Sequence, residues 1–430
     1  MRNSSLVPDK LRFVFNSFVV LAGSLSSGFG SYLFQALVAA ALTVSDFGTF
    51  SAVVALFSLV CVPITSLVMY CARETSKHGD PVLEMLPSSL ITAGIQAILG
   101  SLLLCVIVFI AVDVGLLDYL DLSGGEHRLT YFFICVVSIV GMAALSVTNG
   151  VLQGKLDFVK LSLLSLALPI AKLGAALSLL IIGSKLLEHH LLINFAAPIV
   201  IGLFCGVWVQ RRYNINRWAL GISHQTEVFW SFGKVLIANL SVTLLIQFDI
   251  VLAKQFLGND DAGFYALAAM IGKAVCFVSL AVSAVLLPMV ARSRDENANI
   301  RLLLHSSLLA TLFALCAAIF LFFFGNILAA FFFGKFGFEY GTLFAGYTIA
   351  MIPTSVLIPL EHYFIANDRL VVAVILVIIA PLQLLWSTLV NPEIWNLIFV
   401  TGSCGVISVV CSLTCIYFLK FKPIRSEGEE

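Results

Sequence analysis

Residues 244 to 274 read LIQFDIVLAKQFLGNDDAGFYALAAMIGKAV, apolar enough to face lipid and yet carrying Asp249, Lys254 and Lys273. In such company an ammonium or carboxylate group pairs with an opposite charge, snorkels to water, or lines a wet path for a charged ligand. Four lysines lie within apolar runs of the chain: Lys172, Lys234, Lys254 and Lys273. Lys234 and Lys254 stand about one turn from the end of their run, where a long stem reaches water at small cost. Lys172 and Lys273 stand deeper, about 15–20 Å from the nearer entry point at a rise of 1.5 Å per residue. A cation near the midplane costs about 2.5–3.5 kcal/mol on insertion scales, so each of these two must face a partner or a hydrated cavity. Asp249 and Lys273 sit about 12 Å and 14 Å below the turn that joins their two runs, so they can meet. Two readings follow. Either the pair is structural and fastens one helix to the next, or Lys172 and Lys273 face each other across an aqueous cleft and hold an anion, with Asp249 tuning or releasing Lys273. Lysine binds as a point charge without the fixed fork of arginine, which suits a ligand that must leave.

Other polar groups interrupt the apolar runs. Glu361 and His362, near the inner end of the run 341–366, are candidates for an inner gate or for coupling-ion chemistry. Asn149, Gln153, Asn239 and Gln247 can line a cavity or bond helix to helix. Pro169, three residues before Lys172, and Pro353 are expected to kink their helices and free backbone carbonyls. The small-residue run GSLSSGFGS, residues 23–31, reads as close helix packing.

Several chemistries are excluded by what the sequence lacks. There is no G-x-x-x-x-G-K-[ST] loop for a nucleotide, no G-x-S-x-G elbow and no H-E-x-x-H pair, so no catalytic residue and no cofactor is expected. His189 and His190 are adjacent and diverge by about 100° on a helix, which does not suit a shared metal. All ten cysteines fall in apolar runs, which argues against a disulfide framework, and Cys411 with Cys415 lacks the spacing of a zinc site.

The elements that must carry these residues follow from composition. Hydrophobic residues make up 60% of the chain and charged residues 11%, with 35 Phe and a mean hydropathy of +1.05. Such a chain belongs in a bilayer. Twelve helical spans are expected, at 13–42, 49–71, 85–112, 129–152, 160–183, 191–210, 230–257, 264–290, 302–325, 341–366, 370–390 and 394–419. Period-two alternation is absent, which excludes a barrel. The first run is too long for a signal-peptide core and reads as a retained helix. With the N-terminus inside, Lys and Arg crowd the inner segments and only Arg128, Lys185 and Lys335 fall in outer loops, so both termini are expected in the cytoplasm. Trp208, Trp230 and Trp395 lie near span ends, where indole prefers the interface.

The chain also repeats itself. Asp46, Gly48 and Phe50 match Asp261, Gly263 and Tyr265 at an offset of 215, and LQGKLDFVKLSLL matches FIANDRLVVAVIL at an offset of 212. An even number of helices separates the copies, so the halves are parallel repeats about an axis along the membrane normal. The Asp-x-Gly turns read as hairpin chemistry, with a carboxylate capping free N–H groups and a glycine tolerating positive φ. The polar segment 210–229 lies midway. The expected organisation is an N-terminal six-helix lobe over 1–210, a cytoplasmic linker over 211–229 and a C-terminal six-helix lobe with a short tail over 230–430.

Twelve inward-starting helices, the Asp-x-Gly-x-Phe/Tyr turn in each half, LQGKLDF after the fourth span and FDIVLAKQFLGNDDAGFYALAAMIGKAV together resemble the polysaccharide flippase branch of the MOP (multidrug/oligosaccharidyl-lipid/polysaccharide) exporter superfamily. Asp157 departs from that pattern, standing where such proteins often carry a basic residue. The resemblance implies two bundles around a central cavity that opens alternately inward and outward. It further implies an inner-membrane protein of a prokaryote, not an enzyme, that flips a polyprenyl-diphosphate-linked oligosaccharide to the outer leaflet for surface polysaccharide assembly. The deep lysines would then hold the diphosphate. The implied partners are that lipid-linked glycan, membrane lipid, and a polysaccharide polymerase or export machinery, with no nucleic acid. Two alternatives remain. A cation-coupled multidrug exporter of the same superfamily would bury a carboxylate in its first half, where spans one to six have no deep Asp or Glu. A membrane-embedded glycan polymerase or transferase would carry catalytic groups on a long outer loop, and the longest here, DVGLLDYLDLSGGEHR, is short.

Overall fold

A backbone in hydrocarbon has no water to satisfy its N–H and C=O groups, so long runs of Leu, Ile, Val, Phe and Ala close their hydrogen bonds internally as helices. The computed structural model describes residues 9–78, 88–114, 128–213, 225–293, 295–333, 341–368 and 371–420. These are helical almost throughout, and no strand occurs among them. In chain order the helices are α1 (Asp9–Ala41), α2 (Val44–Val60), α3 (Val62–His78), α4 (Ser88–Asp113), α5 (Arg128–Gly154), α6 (Phe158–Ile182), α7 (Leu187–Tyr213), α8 (Gln225–Phe256), α9 (Asn259–Gly272), α10 (Cys276–Arg292), α11 (Glu296–Phe333), α12 (Gly341–Ala366), α13 (Val371–Leu389) and α14 (Ile394–Lys420). Among the described residues nine helical stretches, with α9 and α10 taken together, are long and apolar enough to cross a membrane, and ten if α2 and α3 form one bent span. The expected linker falls largely on 214–224, outside the described residues, as do the outer-loop residues 115–127, Lys335 and the tail beyond 420.

Two of the expected spans are not single rods. The run 49–71 is divided at Cys61, where α2 and α3 meet at 49°. Pro63 in the first turn of α3 has no N–H to offer the preceding turn, so the ladder is interrupted there. The run 264–290 passes through a 3-10 turn at Lys273–Val275 between α9 and α10, with no proline to cause it. Pro169 and Pro353, expected to kink, lie within the continuous helices α6 and α12.

Within the first half α1 packs on α6 and α5 on both α3 and α7; within the second, α12 packs on α11 and α14, and α13 on α8. The halves meet where α2 touches α8 and α9, α1 touches α10, and α3 touches α8 and α10. Outward faces are apolar, with Phe322, Phe323 and Phe331 on α11 and Leu203 and Phe204 on α7 exposed, as a lipid-facing surface requires. The glycines of the small-residue run pack as expected: Gly23 against Ser162, Gly30 against Pro169 and Gly28 against Phe277.

Backbone geometry repeats with the sequence. Among the described residues the non-glycine residues with positive φ are Leu156 (φ 61°) and Asp368 (φ 57°), at the offset of 212. Their hydrogen bonds repeat too: Leu156 N–H donates to Gln153 O and Asp368 N–H to Ile365 O, while Lys155 N–H donates to Val151 O and Asn367 N–H to Tyr363 O. Asp157 then caps α6, accepting from Lys160 N–H, which is a local role for the residue that departs from the family pattern.

The Asp-x-Gly turns differ from their expected chemistry. At the start of α2 it is the Thr43 hydroxyl that accepts from Asp46 N–H (3.2 Å), while the Asp46 carboxylate accepts from the Thr43 hydroxyl (2.6 Å). At the start of α9 no side chain caps the helix. Gly48 and Gly263 lie inside helices without positive φ. They are needed for proximity instead: a Cβ on Gly48 would lie 2.9 Å from Gly263 N, and one on Gly263 would strike the Val44 carbonyl. The two copies of the motif are therefore packed backbone to backbone, at the end of the molecule opposite Arg73, Lys155 and Arg292.

Candidate functional site

A cavity of about 490 Å³ lies between the halves, lined from α1, α2, α3, α5, α6, α7, α8, α9, α10 and α12. Lys172 of α6 and Lys273 at the α9–α10 break both line it, together with Asn194, Asn239, Gln247 and Glu361. The rest of the wall is mostly apolar, including Phe50, Met142 and Phe277.

The two lysines have unlike surroundings. Lys172 Nζ donates to Asn194 Oδ1 of α7 at 2.7 Å and lies 5.6 Å from the centre of the Phe34 ring. Both contacts favour a cation without neutralising it. Lys273 Nζ forms an ion pair with Asp249 Oδ1 of α8 at 2.9 Å. Asp249 is 2% exposed and does not line the cavity, so the pair runs from the wall into the packed interior. The other carboxylate oxygen, Oδ2, accepts from Tyr265 Oη at 3.0 Å and from Tyr347 Oη. The tyrosine rings meet edge to face at 5.5 Å. Tyr347 reaches this position because Gly272 presents no Cβ; one there would collide with the ring. Behind Tyr265, Thr401 Oγ1 lies at 3.5 Å and is itself reached by Gln383 Nε2 at 3.4 Å.

The sequence-derived candidates are thus partly united. Lys172, Lys273 and Glu361 share one cavity, and Asp249 stands behind Lys273. Glu361 is 4% exposed, and its Oε1 has no hydrogen-bond partner among the described residues. His362 is separated from it: this ring is buried, does not line the cavity, and its Nδ1 is 2.9 Å from Ile358 O one turn back. Asn239 and Gln247 line the cavity, although Asn239 Nδ2 is already bonded to Thr65 Oγ1 and Ser66 Oγ of α3. Gln153 bonds helix to helix, donating to Ala284 O, and Asn149 does not line the cavity. Lys254 does not reach water as expected. It is 7% exposed and ends on Asn259 Oδ1 at 3.0 Å, because the turn closes over it. Lys234 ends on Asp368 at 3.3 Å.

Asn194, Tyr265, Tyr347 and Arg73 were not anticipated at this site. Arg73 of α3 is 1% exposed and joins the halves at the basic end, contacting Ile365 O in the last turn of α12, Asp368 just after it and Ser231 of α8. A second tie runs from Arg292 Nη2 to Gly154 O at 2.5 Å. With Gly48 and Gly263 in contact at the other end, the cavity is bounded at both ends by contacts between the halves. Tyr265 did carry a signal, as the aromatic of the repeated turn, and Asn194 one as a lone amide in an apolar run. No group of three or more His, Cys, Asp or Glu suited to a metal occurs among the described residues.

Residues 13–294 match the sequence profile of a family described as polysaccharide biosynthesis protein. No curated protein matches the chain. Among solved structures, the eukaryotic MATE transporter AtDTX14 is similar with a TM-score of 0.71 at 12% identity, covering 95% of this chain and 96% of that one. The lipid II flippase MurJ, in an inward closed conformation, is similar with a TM-score of 0.65 at 13% identity, over 95% of this chain and 87% of the other. A Vibrio cholerae MATE transporter, VcmN, gives a TM-score of 0.61 at 15% identity, over 94% and 96%. At these identities the likeness is one of fold.

Proposed function

We propose, from the premise that this chain belongs to the polysaccharide biosynthesis protein family, that it carries a polyprenyl-diphosphate-linked oligosaccharide from the inner to the outer leaflet. The observation that carries this reading is that Lys172, from the first half, and Lys273, from the second, line a single cavity between the halves. A diphosphate is the concentrated negative charge of such a substrate, and two ammonium groups lining one cavity are suited to it. At about 490 Å³ the cavity lies in the range of small-molecule sites, so it seats the diphosphate and nearby sugars, and a longer glycan requires a wider state. The residues 1–210 and 230–430 act as lobes that rock about the cavity. Parting of Gly48 from Gly263 opens the outer side, and release of Arg73 from Asp368 and of Arg292 from Gly154 opens the cytoplasmic side. Both termini face the cytoplasm of a prokaryotic cell, and the glycan passes on to a polymerase or export machinery.

Replacing Lys172 or Lys273 with Gln is expected to abolish cell-surface glycan in a strain that depends on this protein, with normal protein levels in the membrane. Unchanged glycan in both variants would remove the assignment. Glu361 favours a companion reading: a buried carboxylate oxygen without a partner, on the wall of the same cavity, suits a cation or proton that travels against the substrate. A cation-coupled drug exporter would also use a buried carboxylate, but in its first half, whereas Glu361 lies in the second. Loss of glycan in the lysine variants separates the two.

A further inference from the structure

We propose that Tyr265 and Tyr347 are positioning residues that hold the Asp249 carboxylate so that Lys273 can leave it for a diphosphate in the cavity. The inference rests on the reading of the cavity as a diphosphate site and adds how that site is switched.

Breaking a buried ion pair is costly chiefly because the partner left behind is an uncompensated charge. Here the carboxylate is not left bare. Its two oxygens are divided between two kinds of donor: Lys273 Nζ occupies Oδ1, and both phenol hydroxyls occupy Oδ2. Departure of the ammonium therefore leaves the Oδ2 bonds in place. The tyrosines cannot follow the lysine. The Tyr347 ring is seated on Gly272, Tyr265 is backed by Thr401 and Gln383, and neither ring lines the cavity. Lys273 is the mobile member. Its side chain is 13% exposed against 1% for Asp249, and it rises from a 3-10 turn, where the helical ladder is already broken. Lys172 is held by the neutral Asn194, so no carboxylate among the described residues competes with a ligand for it. One wall is thus a constant anion seat and the other a conditional one. A ligand held by both can be freed when Asp249 reclaims Lys273.

The test measures binding of inorganic pyrophosphate to the purified full-length protein in lipid nanodiscs. Tyr347→Phe and Tyr265→Phe are each expected to weaken binding about tenfold, because a carboxylate with fewer donors holds Lys273 harder. Asp249→Asn is expected to tighten binding while lowering glycan export in cells, since the ligand is no longer displaced. In the Asp249→Asn background the two Tyr→Phe changes are expected to have no effect on affinity. That last result separates positioning through Asp249 from general loosening of the fold, which would weaken binding with either residue at 249. Equal weakening in both backgrounds, or no weakening in either, overturns the inference. Binding lost in Lys172→Gln and Lys273→Gln but unaltered in the tyrosine variants overturns it while leaving the diphosphate site standing. Absence of pyrophosphate binding in the wild-type protein overturns both.

Discussion

Lys172 and Lys273 line one cavity from different halves of the molecule, yet one answers to an amide and a ring face and the other to a carboxylate. The difference shows that depth in the bilayer does not determine how a buried cation is kept. An amide oxygen offsets desolvation and leaves the charge for a ligand, whereas a carboxylate offsets more and competes with the ligand.

The largest effect that can break this comparison is on stability. Asp249→Ala removes the acceptor of three donors in a packed interior, so unfolding of the protein in detergent is expected to lose about 3–5 kcal/mol. Asn194→Ala, which strips one hydrogen bond from a lysine on a cavity wall, is expected to lose about 1–3 kcal/mol. Equal losses would mean that the two settings are equivalent. A smaller effect sharpens the comparison by making the walls alike. Asn194→Asp gives Lys172 a carboxylate of its own without the tyrosines that hold Asp249, and pyrophosphate affinity is expected to fall about tenfold, or about 1.4 kcal/mol. An affinity that stays or rises would show that the charge of the partner is irrelevant. The smallest effect concerns release. Lys172→Arg keeps the charge but grips a phosphate through a fixed fork, so glycan export is expected to fall roughly twofold to fivefold, with pyrophosphate bound at least as tightly.

Much of this arrangement was legible in the sequence, for identifiable reasons. Burial of charge is so unfavourable in hydrocarbon that Lys172 and Lys273 had to be exceptional, and the depth of Asp249 followed from helical rise alone. Duplication was legible as two offsets, and Leu156 and Asp368 repeat it in the backbone. What could not be read depends on how helices rotate and approach. Nothing local tells that Tyr347, 98 positions from Asp249, turns its hydroxyl to it, because that depends on Gly272 admitting the ring. Lys254 looked free to reach water, since nothing in its own run shows that the following turn covers it. The bend at Cys61 did have a local cause in Pro63, hidden within an unbroken apolar run. The glycines of the repeated turn were read as conformational when they are steric: no single copy of a motif reveals that its neighbour is its own duplicate.

That contact has a consequence for the history and tolerance of the chain. A half-length ancestor pairing with a second copy of itself about the same axis would have brought this turn against its twin, and glycine would have been required once in the gene and twice in the assembly. In a single chain that one requirement becomes two. Gly48 now abuts Gly263 N and Gly263 abuts the Val44 carbonyl, so with no side chain left to surrender on either backbone, growth at either position is expected to push the two halves apart.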